Sequence, residues 1–69
     1  MQVSARNQFS GKIKAVKLGN VMAEVTIDIG GGHEIVSAIT RESAEQLKLA
    51  QGMEVRAIIK ATEVLVAKD

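Results

Sequence analysis

The chain has no cysteine and no proline among its 69 residues, and its only aromatic side chain is Phe9. Without cysteine there is no disulfide and no thiolate metal site. The single histidine, His33, is too few for most histidine-based metal clusters. With one aromatic residue the chain also lacks a platform on which nucleic-acid bases could stack. These absences argue against a domain stabilised by disulfides, a domain built around a metal cluster, and a domain that binds nucleic acid by stacking bases.

The chain also has no large excess of charge of one sign, since it contains nine Lys and Arg residues and eight Asp and Glu residues. This balance argues against a general binder of nucleic acid or another polyanion. No apolar run is long enough to span a membrane, and the N-terminus has no apolar secretion segment. We therefore expect a cytoplasmic protein without membrane association. No serine–histidine–acid pattern is evident, so we expect no catalytic residue and no enzyme.

Apolar side chains are abundant for so short a chain, at 46% of the residues. A chain of this length buries only about 60% of its unfolded surface, so its core is marginal. Small domains make up for a small core with disulfides, bound metals or oligomerisation. Of these three, oligomerisation is the one that remains for this chain. We therefore expect a homo-oligomer that covers part of the apolar surface.

Alternation of apolar and polar residues predicts a β-hairpin in the middle of the chain. In VMAEVTIDI, residues 21–29, every second residue is apolar, which is typical of a strand. The glycines at 30–32 suit a turn whose residues need positive φ. Residues 34–40, EIVSAIT, are then the returning strand.

Three further strands are predicted around this hairpin. The first changes its inward-facing set from Ile13 and Ala15 to Val16 and Leu18, which indicates a β-bulge. The first lies within residues 8–20, where Gly19 and Asn20 make the turn into the next strand, and the other two cover residues 53–60 and 63–67.

One segment, TRESAEQLKLAQG, is predicted to be helical. Thr40 suits the N-cap, Ala44 and Leu47 lie one turn apart on the inward face, and Gly52 ends the helix. A helix between the third and fourth of five strands is the order of an OB-type barrel. The expected fold class is therefore mainly β, an OB-like five-stranded barrel with one short helix.

Hydrogen-bond donors concentrate in three pairs, namely Ser4 with Arg6, Thr40 with Ser43, and Lys60 with Thr62. Ser4 and Arg6 are two residues apart, so on an extended segment their side chains point to the same side; a frayed N-terminal tail is the alternative interpretation. The second pair lies at the start of the helix, where hydroxyls either cap the helix or join its free N–H groups in binding an anion. The third pair ends a strand, where a solvated edge is the simpler interpretation.

SARNQFSGKI, residues 4–13, resembles the opening of the molbindin family, the Mop domains that bind molybdate. The similarity continues through AEVTIDIGGGHEIVSAIT, SAEQLKL and GMEVRAIIKATEVLVA. SARNQ and AIIKATEV at this separation are together specific to that family. The resemblance implies that residues 1–69 are a single Mop domain with an OB-like fold. It also implies a hexamer, a trimer of dimers, with oxyanions bound between subunits.

Carried over to this sequence, the resemblance implies an oxyanion site built from donors. One subunit would contribute Ser4, Arg6, Lys60 and Ala61, a neighbour would contribute Thr40 and Ser43, and Thr62 is a lesser candidate. No side chain bonds the metal atom directly, and no cofactor is implied because the ligand is molybdate or tungstate itself. The polar N-terminal segment is then a ligand-binding strand docked on a neighbour.

The implied function is cytoplasmic molybdate or tungstate binding for molybdenum storage, buffering or homeostasis. An OB-type nucleic-acid-binding module is one alternative, and the near-neutral charge and single aromatic argue against it. A purely structural oligomerisation domain is another, and it explains the apolar excess but not the three donor pairs. A molybdate-binding assay separates the three.

Overall fold

The computed structural model describes residues 1–69. The chain forms four strands, one helix and a final 3₁₀ turn. In chain order they are β1 Asn7–Leu18, β2 Met22–Gly30, β3 His33–Thr40, α1 Arg41–Gln46, β4 Glu54–Ile59 and the 3₁₀ turn Ala61–Glu63. The predicted fold class, mainly β with a short helix between the third and fourth strands, is confirmed.

All four strands form one antiparallel sheet in the order β3-β2-β1-β4. β1 pairs with two strands: its first half pairs with β4 and its second half pairs with β2. Its register against β2 shifts between Ile13 and Ala15, which confirms the predicted bulge. The bulge bends β1, and the sheet curls into an open half-barrel.

The predicted hairpin joins β2 to β3. Gly30 pairs with His33, which leaves Gly31 and Gly32 as the connection, with φ of +64° and +80°. Positive φ at both residues is what a type I′ turn requires, and glycine adopts it without steric cost. The Asp28 carboxylate accepts a hydrogen bond from the Gly30 N–H at 2.9 Å and holds the end of β2.

The core is small and entirely apolar. Its buried residues are Ile13, Ala23, Val25, Ile27, Ala44 and Ala57. The alternation in β2 is confirmed at its centre, while Val21 before the strand is 72% exposed. On β1 the inward set continues to Val16, and Ala15 is exposed because the bulge resets the alternation at that point. Leu18 shares the parity of Val16 but is exposed at the end of the strand, so the predicted inward positions of Ala15 and Leu18 are wrong.

The helix is shorter than the sequence predicts. Leu47 is its C-cap and is 62% exposed, so the predicted inward position of this residue is wrong. Lys48 has a φ of +54° and ends the helical backbone well before Gly52, whose φ of +86° belongs to a later turn. Only Ala44 of α1 is buried. No helix of the structure has the length and apolar character needed to cross a bilayer.

The predicted fifth strand over residues 63–67 is wrong for the single chain. Residues 61–63 form the 3₁₀ turn, and residues 64–69 have no secondary structure. Leu65 and Val66 are each 93% exposed. An apolar strand-forming sequence needs a hydrogen-bonded neighbour, and this segment has none within its own chain. The sheet therefore has four strands and the barrel remains open.

Gly11 lies where β1 changes partners, and a side chain there has no room. A Cβ on Gly11 would come within 2.4 Å of the Asp28 backbone oxygen and 2.9 Å of Ile27 Cγ2. We expect Gly11→Ala to lower the free energy of unfolding by about 1–3 kcal/mol, because β1 and β2 must separate to admit the methyl group. Urea denaturation measures the change, with exposed Ser10→Ala as the control. Equal unfolding midpoints for the two variants would contradict this prediction.

Candidate functional site

The pairing of β1 with β4 brings Arg6 and Lys60 together. Asn7 at the start of β1 lies opposite Ile59 at the end of β4, so Arg6 and Lys60 are the next residues outward on the two strands. Side chains alternate along a strand, and Asn7 and Ile59 are half-buried, which leaves Arg6 and Lys60 on the exposed face. The backbones of two cationic residues thus flank one corner of the sheet, where the β1–β4 pairing ends.

The segment before β1 is held in a turn. Gln8 Nε2 donates a hydrogen bond to the Ala5 backbone oxygen at 2.8 Å. This bond fixes the approach of Ser4 and Arg6 to the start of β1. Gln8 is not among the residues that the sequence singles out, and its only signal is its place in the SARNQ motif.

The 3₁₀ turn after β4 adds backbone donors beside Lys60. The Glu63 N–H donates to the Lys60 oxygen at 2.9 Å, and no side chain caps the turn. Ala61 and Thr62 are the first two residues of the turn, so their N–H groups have no acceptor within it. These N–H groups directly follow Lys60 in the chain, so the turn adds backbone donors at the same end of β4.

The positive charge of Arg6 and Lys60 is not neutralised within the chain. Two ion pairs are present, Lys14 with Glu34 and Arg41 with Glu45. A hydrogen bond from Lys14 to Glu34, together with the charge of that carboxylate, raises the pKa of Lys14 above its ordinary value. The cations at the β1–β4 corner have no such carboxylate partner and are free to pair with an anion.

Thr40 and Ser43 form a second group of donors at the start of α1. Thr40 is the N-cap, as the sequence predicts, and its Oγ1 accepts a hydrogen bond from the Ser43 N–H at 3.1 Å. The Thr40 hydroxyl in turn donates to Ser43 Oγ at 2.7 Å. Since each hydroxyl has one proton, the bond between the two oxygens uses one proton of the pair and leaves the other free to donate outward.

Arg41 fixes this second group against the sheet. Its Nη1 donates to the Gly19 oxygen at 3.2 Å and its Nε donates to Glu45 at 2.8 Å. Its backbone N–H donates to the Val21 oxygen at 2.7 Å. The sequence gives no signal for this role, because the contacts to the β1–β2 turn are non-local.

The two donor groups lie at opposite ends of β1. Thr40 pairs with Met22 beside the turn that follows β1, whereas Arg6 immediately precedes the strand. The 12 residues of β1 separate the groups, at about 3.3 Å per residue along a strand. The longest dimension of the molecule is 36 Å. One chain therefore cannot place both groups around one small anion.

Comparison with known proteins adds an independent finding. The family model described as TOBE domain matches residues 3–66. A probable molybdenum-pterin-binding protein from Haemophilus influenzae is 47% identical over 69 residues, which cover 100% of both chains. A solved molybdate-binding protein from Sporomusa ovata has a TM-score of 0.91 at 41% identity, covering 99% of this chain and 100% of that one.

A third similarity is to the cytoplasmic molybdate-binding protein ModG, solved with molybdate bound. Its TM-score is 0.84 at 51% identity, covering 88% of this chain and 43% of ModG. The family match spans nearly the whole chain and includes both donor groups. The molbindin resemblance is therefore confirmed, and the chain belongs to the TOBE domain family, among its Mop-type members.

Proposed function

We propose that this chain binds molybdate or tungstate in sites formed between copies of itself. The observation that carries the proposal is the placement of the donors. Arg6 and Lys60 meet at one corner of the sheet, while Thr40 and Ser43 lie at the far end of β1. A site between subunits brings the two donor groups around one anion, because the start of α1 in a neighbouring copy can approach the β1–β4 corner.

Molybdate suits a site made of donors. It is a tetrahedral dianion with four acceptor oxygens and, near neutral pH, no proton to donate. The site offers the hydroxyls of Ser4 and Ser43, the charges of Arg6 and Lys60, and the free N–H groups at the start of the 3₁₀ turn. Each hydrogen bond to an ionised group contributes about 1.5–3 kcal/mol net. About five such bonds suffice for micromolar binding after the costs of association.

The remaining candidates have supporting roles in this site. Ala61 contributes its backbone N–H, and Thr62 contributes in the same way. Thr40 and Ser43 act as a pair, because their hydroxyls are hydrogen-bonded to each other and together have one proton left for the anion. Every group is a donor or a cation, which is the composition that a fully deprotonated oxyanion requires.

Binding of this kind includes no chemical step. The function is therefore storage, buffering or homeostasis of molybdenum in the cytoplasm, performed by a single Mop domain over residues 1–69. The relatives named for molybdenum-pterin and molybdate binding support this assignment.

A homo-hexamer, arranged as a trimer of dimers, is the assembly in which these sites form. Thirteen large hydrophobic residues are exposed on the single chain, and interfaces between copies would cover many of them. Light scattering at micromolar concentration should give about six times the 7.4 kDa mass of one chain. A stable monomer would contradict both the assembly and the sites between subunits.

Titration calorimetry with molybdate at constant ionic strength tests the function. We expect a saturable heat whose stoichiometry follows the number of interfaces. A parallel titration with single-stranded DNA should give no saturable heat, because the chain has one aromatic side chain and a net charge of +1. DNA binding without molybdate binding would instead support an OB-type nucleic-acid module.

A further inference from the structure

Arg41 differs from every other cationic residue of the chain in its exposure. The sequence contains nine Lys and Arg residues, and Arg41 is half-buried whereas all the others are exposed. It directly follows Thr40, the N-cap of α1, and stands just before the second hydroxyl of that donor pair, on Ser43. A guanidinium that has left water needs hydrogen-bond acceptors, and those of Arg41 lie in a part of the chain that is distant in sequence.

Two residues of the turn between β1 and β2 accept hydrogen bonds from Arg41. Its backbone N–H donates to the Val21 oxygen at 2.7 Å, and its Nη1 donates to the Gly19 oxygen at 3.2 Å. The turn is itself closed by a hydrogen bond from the Gly19 N–H to the Met22 oxygen at 2.7 Å. The start of α1 is therefore attached to a closed turn by both the backbone and the side chain of one residue.

The side-chain contacts of Arg41 require the geometry of a guanidinium. While Nη1 donates to Gly19, Nε donates to the Glu45 carboxylate at 2.8 Å. An arginine side chain has several N–H donors in a fixed planar arrangement, so it serves two acceptors in different directions at once. A lysine has one compact ammonium group on a flexible stem and keeps the charge without this arrangement.

Little else holds α1 in place on the sheet. The helix has six residues, and isolated helices shorter than about 12–15 residues are only marginally stable in water. Ala44 is its one buried residue. Arg41 and Ala44 are one turn apart and lie on the same side of the helix. The orientation of α1 therefore depends on the packing of Ala44 and on the hydrogen bonds of Arg41.

We propose that Arg41 is a positioning residue for oxyanion binding, which fixes the start of α1 so that the hydroxyls of Thr40 and Ser43 point at an anion held by a neighbouring copy. This role deepens the proposed function and rests on it. The hydroxyl pair has one proton left for the anion, and a hydrogen bond weakens steeply when its donor turns away from the acceptor. Arg41 acts through the pair, because Gly19 and Glu45 engage its own Nη1 and Nε.

Arg41→Lys tests this role, because it keeps the charge and removes the planar set of donors. Titration calorimetry of the assembled full-length protein with molybdate should show a dissociation constant raised about 3–30-fold. The control is Lys17→Ala, which removes an exposed charge near the same end of β1 where no ion pair is present. Its dissociation constant should stay within about twofold of the parent value. Parent-like binding by Arg41→Lys, or an equal loss in Lys17→Ala, would overturn the proposal.

A double-mutant cycle separates positioning from a direct effect on the anion. Thr40→Val combined with Ser43→Ala removes both hydroxyls, so Arg41 then has nothing left to position. In that background Arg41→Lys should change the dissociation constant by less than about twofold. An equal loss in both backgrounds means that Arg41 acts independently of the pair, and this overturns the proposal. If the background does not assemble or gives no saturable heat, the comparison of Arg41→Lys with Lys17→Ala decides.

Light scattering and the parent titration show which proposal fails. Arg41→Lys should keep the mass of the parent assembly, and a smaller mass would mean that Arg41 supports assembly rather than donor orientation, which overturns the positioning role. If the parent gives no saturable heat with molybdate, the proposed function fails and the role of Arg41 fails with it. If the parent binds molybdate and assembled Arg41→Lys binds equally well, only the role of Arg41 fails.

Discussion

Replacing Arg6 or Lys60 with alanine is expected to weaken molybdate binding by about 10–150-fold for each variant. Each change removes a charged hydrogen bond that contributes about 1.5–3 kcal/mol. Thr62→Ala should have a much smaller effect, because alanine keeps the backbone N–H that the 3₁₀ turn presents. Titration calorimetry of the assembled protein measures all three dissociation constants.

Lys14→Ala is the charge-matched control for these variants. Lys14 lies within β1, whereas Arg6 precedes that strand, and the ammonium group of Lys14 is engaged by Glu34. The pair is exposed, and exposed ion pairs contribute little to stability, so this variant should fold and bind molybdate like the parent. Light scattering must accompany each titration, because Arg6 lies at the proposed interface. If assembled Arg6→Ala and Lys60→Ala both bind like Lys14→Ala, the assigned site is wrong.

Strong discrimination against phosphate is the second large effect that we expect. Near neutral pH phosphate carries at least one proton, and that proton needs an acceptor inside the site. None of the residues assigned to the proposed site brings a carboxylate. Glu42 accepts a hydrogen bond from Gln46 along α1, and Glu63 forms no ion pair with Lys60. A buried donor without an acceptor costs about 1–3 kcal/mol, so phosphate should bind about 5–150-fold more weakly from this cause.

Binding of sulfate and tungstate shows how much of the selectivity comes from the size of the anion rather than from its protonation. Sulfate has no proton at this pH, but its bonds to oxygen are shorter than those of molybdate. A cage of backbone N–H groups and short side chains cannot contact all four of its oxygens at once, so sulfate should also bind far more weakly. Tungstate nearly matches molybdate in size and charge, and the two should compete almost equally. Competition calorimetry decides, and displacement of molybdate by equimolar sulfate would indicate a generic anion patch.

Local features of this fold could be predicted from the sequence, because the residues that cause them are neighbours in the chain. Alternation over residues 21–29 predicts β2, and the three glycines predict a turn with positive φ. Thr40 predicts the N-cap of α1. The shift of apolar positions around Ile13 predicts the bulge in β1. In each case the periodicity or the backbone preference of a few consecutive residues is sufficient.

The length of α1 and the number of strands could not be predicted in this way. Leu47 has the spacing of an inward-facing residue, yet the left-handed backbone at Lys48 ends the helix beside it. Residues 64–67 have the composition of a strand, yet a strand forms only where another backbone edge receives it. Composition shows that residues 64–67 are able to form a strand. The 3₁₀ turn before them directs them away from the sheet of their own chain, so they do not pair with it.

The sequence by itself determined the fold class and the family resemblance and gives the candidate donors, since these depend on residue types and on their spacing along the chain. Tertiary structure alone decided how the donors are distributed. The β1–β4 register places Arg6 beside Lys60, although 53 residues separate them in the chain. The length of β1 then holds both away from Thr40 and Ser43. Strand pairing joins residues that are distant in sequence, and the 12-residue length of β1 keeps its two ends apart.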